Sequence, residues 1–473
     1  MFTNLDFLKV GNKFPAINET FEARQNNFIN GRLLYDGNLE QVFSEVWHKI
    51  KTRFDKDHTP EQVLLKLNLF RPLTDMFKLL AFQNEPEILI GEGKSEKQID
   101  DVSDITSDDV IEKLKGAFIG THAQGAAVFK IYDKGNNDFD IALINPENWI
   151  PVYEENDLNT IKCHVVAKIQ KINNNASGFF GKNEKKYVYF EIHYIGYYDT
   201  LVVELDSDDT ISKVLKNETG IKTGLNDFAI VPVDFGKPSW KSYANSAYND
   251  LIPIVEEIIV RYSNQSAILD KHADPTIVAP AEAFEINQKT GEKVLRTGYA
   301  LQIGRDGQVP QYITWDGNLT ASFKQIEGMM RLYYIISGAN PQLFGQDLAG
   351  NLSGEALQKV LIVPLAKTKE MLRCLESAAE KAYNMLLQLK GINEKLYIKF
   401  NMANFTSTNE YIQTILQQKQ GGILSTQTAI EQIHTDWEQS DVETELQKIQ
   451  EEQSANFAMD LESIYPKDVN NEQ

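Results

Sequence analysis

The chain predicts an α+β fold, with helices and strands in separate blocks rather than in strict alternation. Three observations carry this. Apolar residues recur at helical spacing up to about residue 82 and again from Ser246 onward. Strand signals dominate from Ala126 to about Val233. Between two later helical segments lies a β-rich excursion, Thr276 to about Trp315, which is too small for a core of its own.

The totals narrow the class. A chain of 473 residues exceeds one ordinary domain, and 42% hydrophobic residues place it among folded proteins. The net charge of −20 opposes tight wrapping of nucleic acid, though not a brief or sliding contact. Two segments hold most of that charge: Glu85 to Asp109 has nine acids and two lysines, and Asp436 to Asp468 has ten acids and two lysines. Both read as solvated surfaces, or as faces toward a basic partner. Cys163 and Cys374 are the two cysteines, outside any CxxC pattern, which predicts a reducing compartment. No apolar run reaches the length of about 18 residues that a membrane span needs, and no signal peptide is expected.

In chain order, Leu39, Val42, Phe43, Val46, Trp47 and Ile50 predict a helix face, as do Leu64 to Phe70 and then Leu73, Met76, Phe77, Leu79 and Leu80. Glu87-Ile88-Leu89-Ile90 is a short strand, the acidic stretch after it an exposed loop, and Val110 to Phe118 a helix. Ala127 to Tyr132 and Phe139 to Ile144 flank a turn at Asp133 to Asn137; Tyr187 to Tyr194 and Thr200 to Leu205 form a second hairpin. Together they predict a sheet with one wet face. Asn245 or Ser246 caps a helix running to about His272, with Pro253 tolerated in its first turns. The excursion carries strands near Ile277, Tyr299 to Ile303 and Gln311 to Trp315, with turns at Asn287 to Gly291 and Arg305 to Gly307. A helix from Leu319 to Ile336 follows, then an almost uncharged loop from Gly338 to Leu352. A long helix, Ser353 to Lys390, would span about 57 Å at about 1.5 Å per residue, kinked at Pro364 and stopped by Gly391. Beyond it come a strand at Leu396 to Phe400, a helix from Asn409 to Gln418, a helix capped by Ser425 that ends near Asp436, and a last helix through Ile449.

Little in the chain points to catalysis. Gly93-Lys94-Ser95 follows a strand-like run, but a phosphate loop needs a glycine where Ile88 stands. No HExxH, paired Cys/His or EF-hand spacing occurs, so no metal or cofactor is implied. Glu191 with His193, and Asp138 with Asp140, read as solvent-facing strand residues, and Cys374 between Leu372 and Leu375 as packing.

Five stretches together give a resemblance. They are Gly125 to Phe129, Ile144 to Tyr153 and Ile230 to Val233; then Ser337-Gly338-Ala339-Asn340-Pro341-Gln342-Leu343-Phe344-Gly345 with Asn351 to Leu357; and last Gln420 to Ala429. In this order they resemble the portal proteins of tailed bacteriophages, the long-tailed type above all. The resemblance implies a portal-type α+β fold: an α/β wing, a two-helix stem, a small α/β clip, a long kinked wing helix and a helical C-terminal crown. By position, residues 1–245 match the wing, 246–274 and 318–337 the stem helices, and 275–317 the clip. Residues 338–352 match the tunnel loop, 353–405 the remaining wing, and 406–473 the crown and acidic tail.

The resemblance further implies a non-enzymatic dodecameric ring at one capsid vertex of the virion, assembled in the host cytoplasm. It would pass double-stranded DNA during packaging, retention and ejection. It would also dock the terminase large subunit, head-completion or adaptor proteins, and the major capsid and scaffolding proteins, with no membrane partner. Asn340, Gln342, Phe344, Gln346, Asp347 and Asn351 would be the channel-loop residues. A nearly uncharged loop suits contact with phosphates without a grip. The rival reading is another phage head or adaptor assembly protein without a DNA channel.

Overall fold

The computed structural model of the chain describes residues 2–15, 19–47, 65–91, 96–157, 159–173, 184–273, 276–278, 284–286, 293–295, 311–313, 320–345, 354–401, 408–434, 437 and 439–464. The chain divides into two units: Met1–Gln346 with Val363–Ala403, and Asp347–Ile362 with Asn404–Gln473.

The first unit opens with a strap rather than the expected helix. Residues 2–15 hold only a 3-10 turn at Asp6–Leu8. Phe2 bridges Val152, and its carbonyl accepts the Tyr153 amide at 2.8 Å. Phe7, Leu8 and Phe14 are buried against Val165, Phe190 and Val203. The apolar spacing that looks helical here serves a sheet face.

Helices α1 (Glu19–Asp36), α2 (Leu39–Val42) and α3 (Phe70–Phe82) follow. The helix expected from Leu64 starts only at Phe70, because the Asn68 side chain accepts the Phe70 amide at 2.9 Å and fixes a turn. Leu73, Met76, Phe77 and Leu80 of α3 are buried, whereas Leu79 is 67% exposed.

Strands β1 (Glu87–Ile90) and β2 (Lys97–Gln98) form an antiparallel pair. A phosphate loop would lead from strand to helix, so this return excludes one; residues 92–95 lie outside the described residues. The acidic stretch here is more than a loop. Helix α4 (Ser107–Gln124) is capped by Thr106, which accepts the Asp109 amide at 3.2 Å, and Asp100 accepts the Ser107 amide at 2.8 Å. Asp108 and Asp109 in the first turn meet the positive end of the helix dipole. Gly125 ends α4 at φ +93, where a Cβ would lie 2.5 Å from the Ala244 carbonyl.

The strand-rich region makes two sheets where one was expected. Strands β3 (Ala126–Asp133) and β4 (Phe139–Ile144) are a hairpin, joined to a later strand, Ile230–Asp234, in one three-stranded sheet. Strands β5 (Trp149–Tyr153), β6 (Ile161–Asn173), β7 (Glu184–Tyr194), β8 (Tyr197–Leu205) and β9 (Ile211–Lys222) pair in sequence as the other. The expected hairpin is the β7–β8 pair, in register from Lys186↔Leu205 to Tyr194↔Tyr197. The wet face holds for β9, nearly all exposed, but β5 is buried along its whole length. The strand Ile230–Asp234 is β10.

Helix α5 (Ile252–Ala273) begins later than its predicted cap. Ser246 instead fixes a preceding turn, its Oγ accepting the Tyr248 amide at 3.1 Å and donating to Ala123 O at 2.6 Å. Asn27 pins this junction: its Nδ2 donates to Gln124 O at 2.8 Å, and its Oδ1 accepts the Ser246 amide at 2.9 Å. Nearby, buried Thr74 hydrogen-bonds both His122 Nδ1, at 2.7 Å, and the Tyr248 hydroxyl.

In the excursion, β11 (Thr276–Val278) pairs with β14 (Gln311–Ile313), and β12 (Phe284–Ile286) with β13 (Lys293–Leu295). The expected strand at Tyr299 to Ile303 and both expected turns lie outside the described residues. Helices α6 (Thr320–Ser337) and α7 (Gly354–Leu389) follow, then β15 (Leu396–Lys399), which pairs with β1. Helix α7 continues through Pro364. Gly391 stops it at φ +78, with the Ile392 amide donating to Leu387 O at 2.9 Å. Ser353, the expected cap, lies outside the described residues.

The second unit contains α8 (Thr408–Gln420), α9 (Thr426–Ile433) and α10 (Gln439–Ile464). Ser425 caps α9 by accepting the Thr428 amide at 3.1 Å. Helix α9 stops three residues short of the expected end, and α10 runs 15 residues beyond Ile449. Side-chain bonds at i, i+4, such as Gln447 to Glu451, support that extension.

Candidate functional site: the loop after α6

Helix α6 turns Ile326, Tyr333, Tyr334 and Ser337 inward. The Tyr333 hydroxyl donates to Leu69 O at 2.7 Å, and Gln265 of α5 donates to the Ser322 hydroxyl at 2.6 Å. Burial pushes the Tyr333 phenol upward, so it stays a neutral donor.

The helix ends in a defined turn. Gly338 takes φ +70, and the Lys367 ammonium of α7 donates to Ser337 O at 2.9 Å. A Cβ at Gly338 would lie 2.6 Å from Lys367 Nζ, so the lysine packs on the open face of the glycine. Burial pushes the Lys367 pKa down, while Asp250 and Glu370 oppose that shift.

The loop then folds on itself. The Asn340 side chain accepts the Gln342 amide at 2.9 Å and caps a 3-10 turn, Pro341–Phe344. Gly345 closes it at φ +75 with its amide donating to Gln342 O at 3.1 Å. The Phe344 ring packs on Tyr334 at 5.8 Å. The expected structureless loop is therefore ordered over its first half, through a cap that the Asn-Pro pair encodes. Asn340, Gln342 and Phe344 share this turn; Gln346, Asp347 and Asn351 lie outside the described residues.

From Gly338 to Gly345 no side chain is ionisable, so the turn presents shape and amide groups rather than a nucleophile or an acid–base pair. Among the described residues, no three His, Cys, Asp or Glu side chains gather as a metal site. Burial pushes the Cys163 thiol up to about 12, which makes it inert.

The expected solvent-facing pair Glu191 and His193 is instead enclosed. His193 is 2% exposed and bonds Glu191 at 2.9 Å, while Lys130 of β3 pairs with the same carboxylate. Burial works to raise the Glu191 pKa, but the bonds from His193 and Lys130 outweigh it and hold it at about 2. Asp140 bridges Lys113 at 3.0 Å and Lys134 at 2.9 Å; only Asp138 is open, at 58%. The partners come from other strands and helices, so alternation along one strand carries no sign of them.

A protein-family model described as phage portal protein, SPP1 Gp6-like, matches residues 16–456. No curated protein matches the chain. Among solved structures, a chain from the neck of an empty gene transfer agent particle, computed with C6 symmetry, is 10% identical at a TM-score of 0.45, over 77% of this chain and 88% of that one. A chain from the virion of the native particle is 11% identical at a TM-score of 0.43, with the same coverages. The family match spans nearly the whole chain and includes α6, its loop and α7; the chain belongs to the SPP1 Gp6-like family of phage portal proteins, whose place is the capsid vertex.

Proposed function

We propose that this chain closes into a dodecameric ring around a channel for double-stranded DNA, and that the loop after α6 lines that channel. The observation that carries the ring is the outer side of α6. Leu332, Ile335 and Ile336 are 50%, 67% and 41% exposed in the single chain. Three large apolar side chains on one helix face need cover, and a second copy in a rotational ring supplies it identically at every position. The paired strands β11–β14 and β12–β13 fit the same reading, since two-stranded sheets are marginal without neighbours.

In this reading the protein is structural and uses no cofactor. The turn with Asn340, Gln342 and Phe344, followed by Gln346, Asp347 and Asn351, meets DNA through side-chain amides, an aromatic ring and one carboxylate, with no cation among them. Such groups give contact without the counterion release that makes a tight grip. The terminase large subunit would supply the motor, with head-completion or adaptor proteins, major capsid protein and scaffold as further partners, and assembly would start in the host cytoplasm.

The test is the mass of the purified chain by light scattering, with negative-stain images of the same peak. A closed ring with a central hole is expected. A monomer that stays monomeric with scaffold added overturns the ring.

A further inference from the structure

Strand β10 is one of the two edge strands of the three-stranded sheet, whose order is β10-β3-β4. The Ile131 amide donates to Ala229 O at 2.9 Å, and Ile230 lies opposite Lys130. In an antiparallel ladder, the odd-numbered residues of β10 therefore bond β3, and Ile230 and Pro232 turn their backbone groups outward. Pro232 has no N–H, so along this edge the carbonyls of residues 230, 232 and 234 outnumber the amides of residues 230 and 234.

A cleft of about 720 Å³ runs beside this edge. Four consecutive residues, Ile230 to Val233, line it. A strand face would contribute alternate residues, so the cleft exposes the edge itself. Its volume is within the range of about 300–1,000 Å³ typical of ligand sites.

The other walls are rich in donors. Arg373, Ser377 and Lys381 of α7 follow one another at one-turn spacing along the cleft. Lys381 is paired with Asp227 at 2.8 Å, while Arg373 has no ion pair among the described residues. His164 also lines the cleft and is 2% exposed. Its Nδ1 accepts the Trp149 indole N–H at 2.9 Å, which leaves Nε2–H as the ring's one donor. That donor makes no hydrogen bond among the described residues. On a chain of net charge −20, this is, among the described residues, a local concentration of donors: an imidazole N–H without a bond, Arg373 without an ion pair, Lys381 shared with Asp227, and backbone carbonyls waiting for amides.

We propose that the cleft docks an extended acidic peptide segment of a partner protein. The segment would run along β10, its amides donating to the carbonyls of Ile230 and Pro232 and its carboxylates meeting His164 Nε2–H, Arg373 and Lys381. Strand addition supplies affinity through the main chain, and the cations select acidic side chains. The site requires neither a ring nor DNA, so its failure would leave the portal reading standing.

The test is calorimetric titration of the full chain with a blocked hexapeptide of alternating Glu and Val, its Lys–Val counterpart, and inorganic phosphate. The Glu–Val peptide should bind at least tenfold more tightly than either. Ser377→Glu, at an exposed helix position, should weaken it at least tenfold with an unchanged unfolding midpoint. Arg373→Ala should weaken it several-fold. No binding, equal binding of the Lys–Val peptide, or full affinity in Ser377→Glu would overturn the proposal. Phosphate binding as tight as the Glu–Val peptide would also overturn it, in favour of a small-anion site.

Discussion

Helices α4 and α6 are both 18 residues long, yet among the described residues α6 leaves the larger apolar side chains uncovered. Helix α4 has a cap at each end, Thr106 and Gly125, and buries Val110, Leu114, Phe118 and His122. Helix α6 buries Ile326, Tyr333 and Tyr334 on one side and leaves Leu332 and Ile335 in water on the other. Residues around α4 make a fold that stands by itself, and in the ring proposed above residues around α6 would make the surface that another copy covers.

The largest expected effect breaks that comparison at its weak side. Ile335→Asp places a charge on a side chain that is already 67% exposed, so the stability of the single chain should change by no more than about 0.5 kcal/mol. Assembly, by contrast, should be lost outright, because every interface in a symmetric ring would bury the new carboxylate. Light scattering and a denaturant midpoint on the same sample check both halves. Rings that survive the substitution would place the interface elsewhere.

Acid gives the next effect, and it falls on α4 and the five-stranded sheet rather than on α6. His122 and His164 are buried, and burial holds both near a pKa of about 3 instead of 6.5. Between these values the unfolded chain binds protons that the folded chain refuses. Stability is therefore full above about pH 6.5 and falls as the pH drops toward 3, by up to about 1.4 kcal/mol per pH unit for each histidine. Glu191, at about 2 against an ordinary 4.5, adds a loss of the same sign below pH 4.5. Helix α6 has no histidine, so Ile335→Asp should leave this profile unchanged. Urea midpoints between pH 8 and pH 5, for the parent and for His122→Leu, test the slope. A parallel decline in His122→Leu would mean that His122 takes no part.

What the residue string shows in advance follows from how local its causes are. The Ser425 cap, the Gly391 stop and the β7–β8 hairpin rest on neighbours within a few residues, and each stands as expected. The N-terminal strap does not, because Phe7 and Phe14 answer to Phe190 and Val203, more than 170 residues away. Glu191 and His193 misled for the same reason, since Lys130 reaches them from another sheet. At the loop, glycines and missing charge were legible, and so was its place between two helices. The 3-10 turn rests on the local pair Asn340-Pro341, whereas the hold that Lys367 takes on Ser337 spans 30 residues that no local pattern connects.

That hold supplies the smallest and sharpest test. Lys367 places a cation on the carbonyl at the C-terminal end of α6, where the helix dipole favours it. Lys367→Met keeps most of the length and packing but removes the charge and the donor, at a cost of about 1 kcal/mol. The backbone of α4 should not register it, because Lys367 makes no hydrogen bond to that helix among the described residues and touches it only through its charge, which adds to burial in keeping His122 neutral. The loop should: amides from Gly338 to Gly345 should exchange hydrogen severalfold faster, while those of α4 keep their rates. Gly338→Ala should act in the same direction and more strongly, since φ +70 strains any side chain and the new Cβ would displace Lys367. If the loop amides exchange at parental rates in Lys367→Met, the lysine does not position the turn, and the Asn340 cap with the Phe344–Tyr334 contact suffices to hold it.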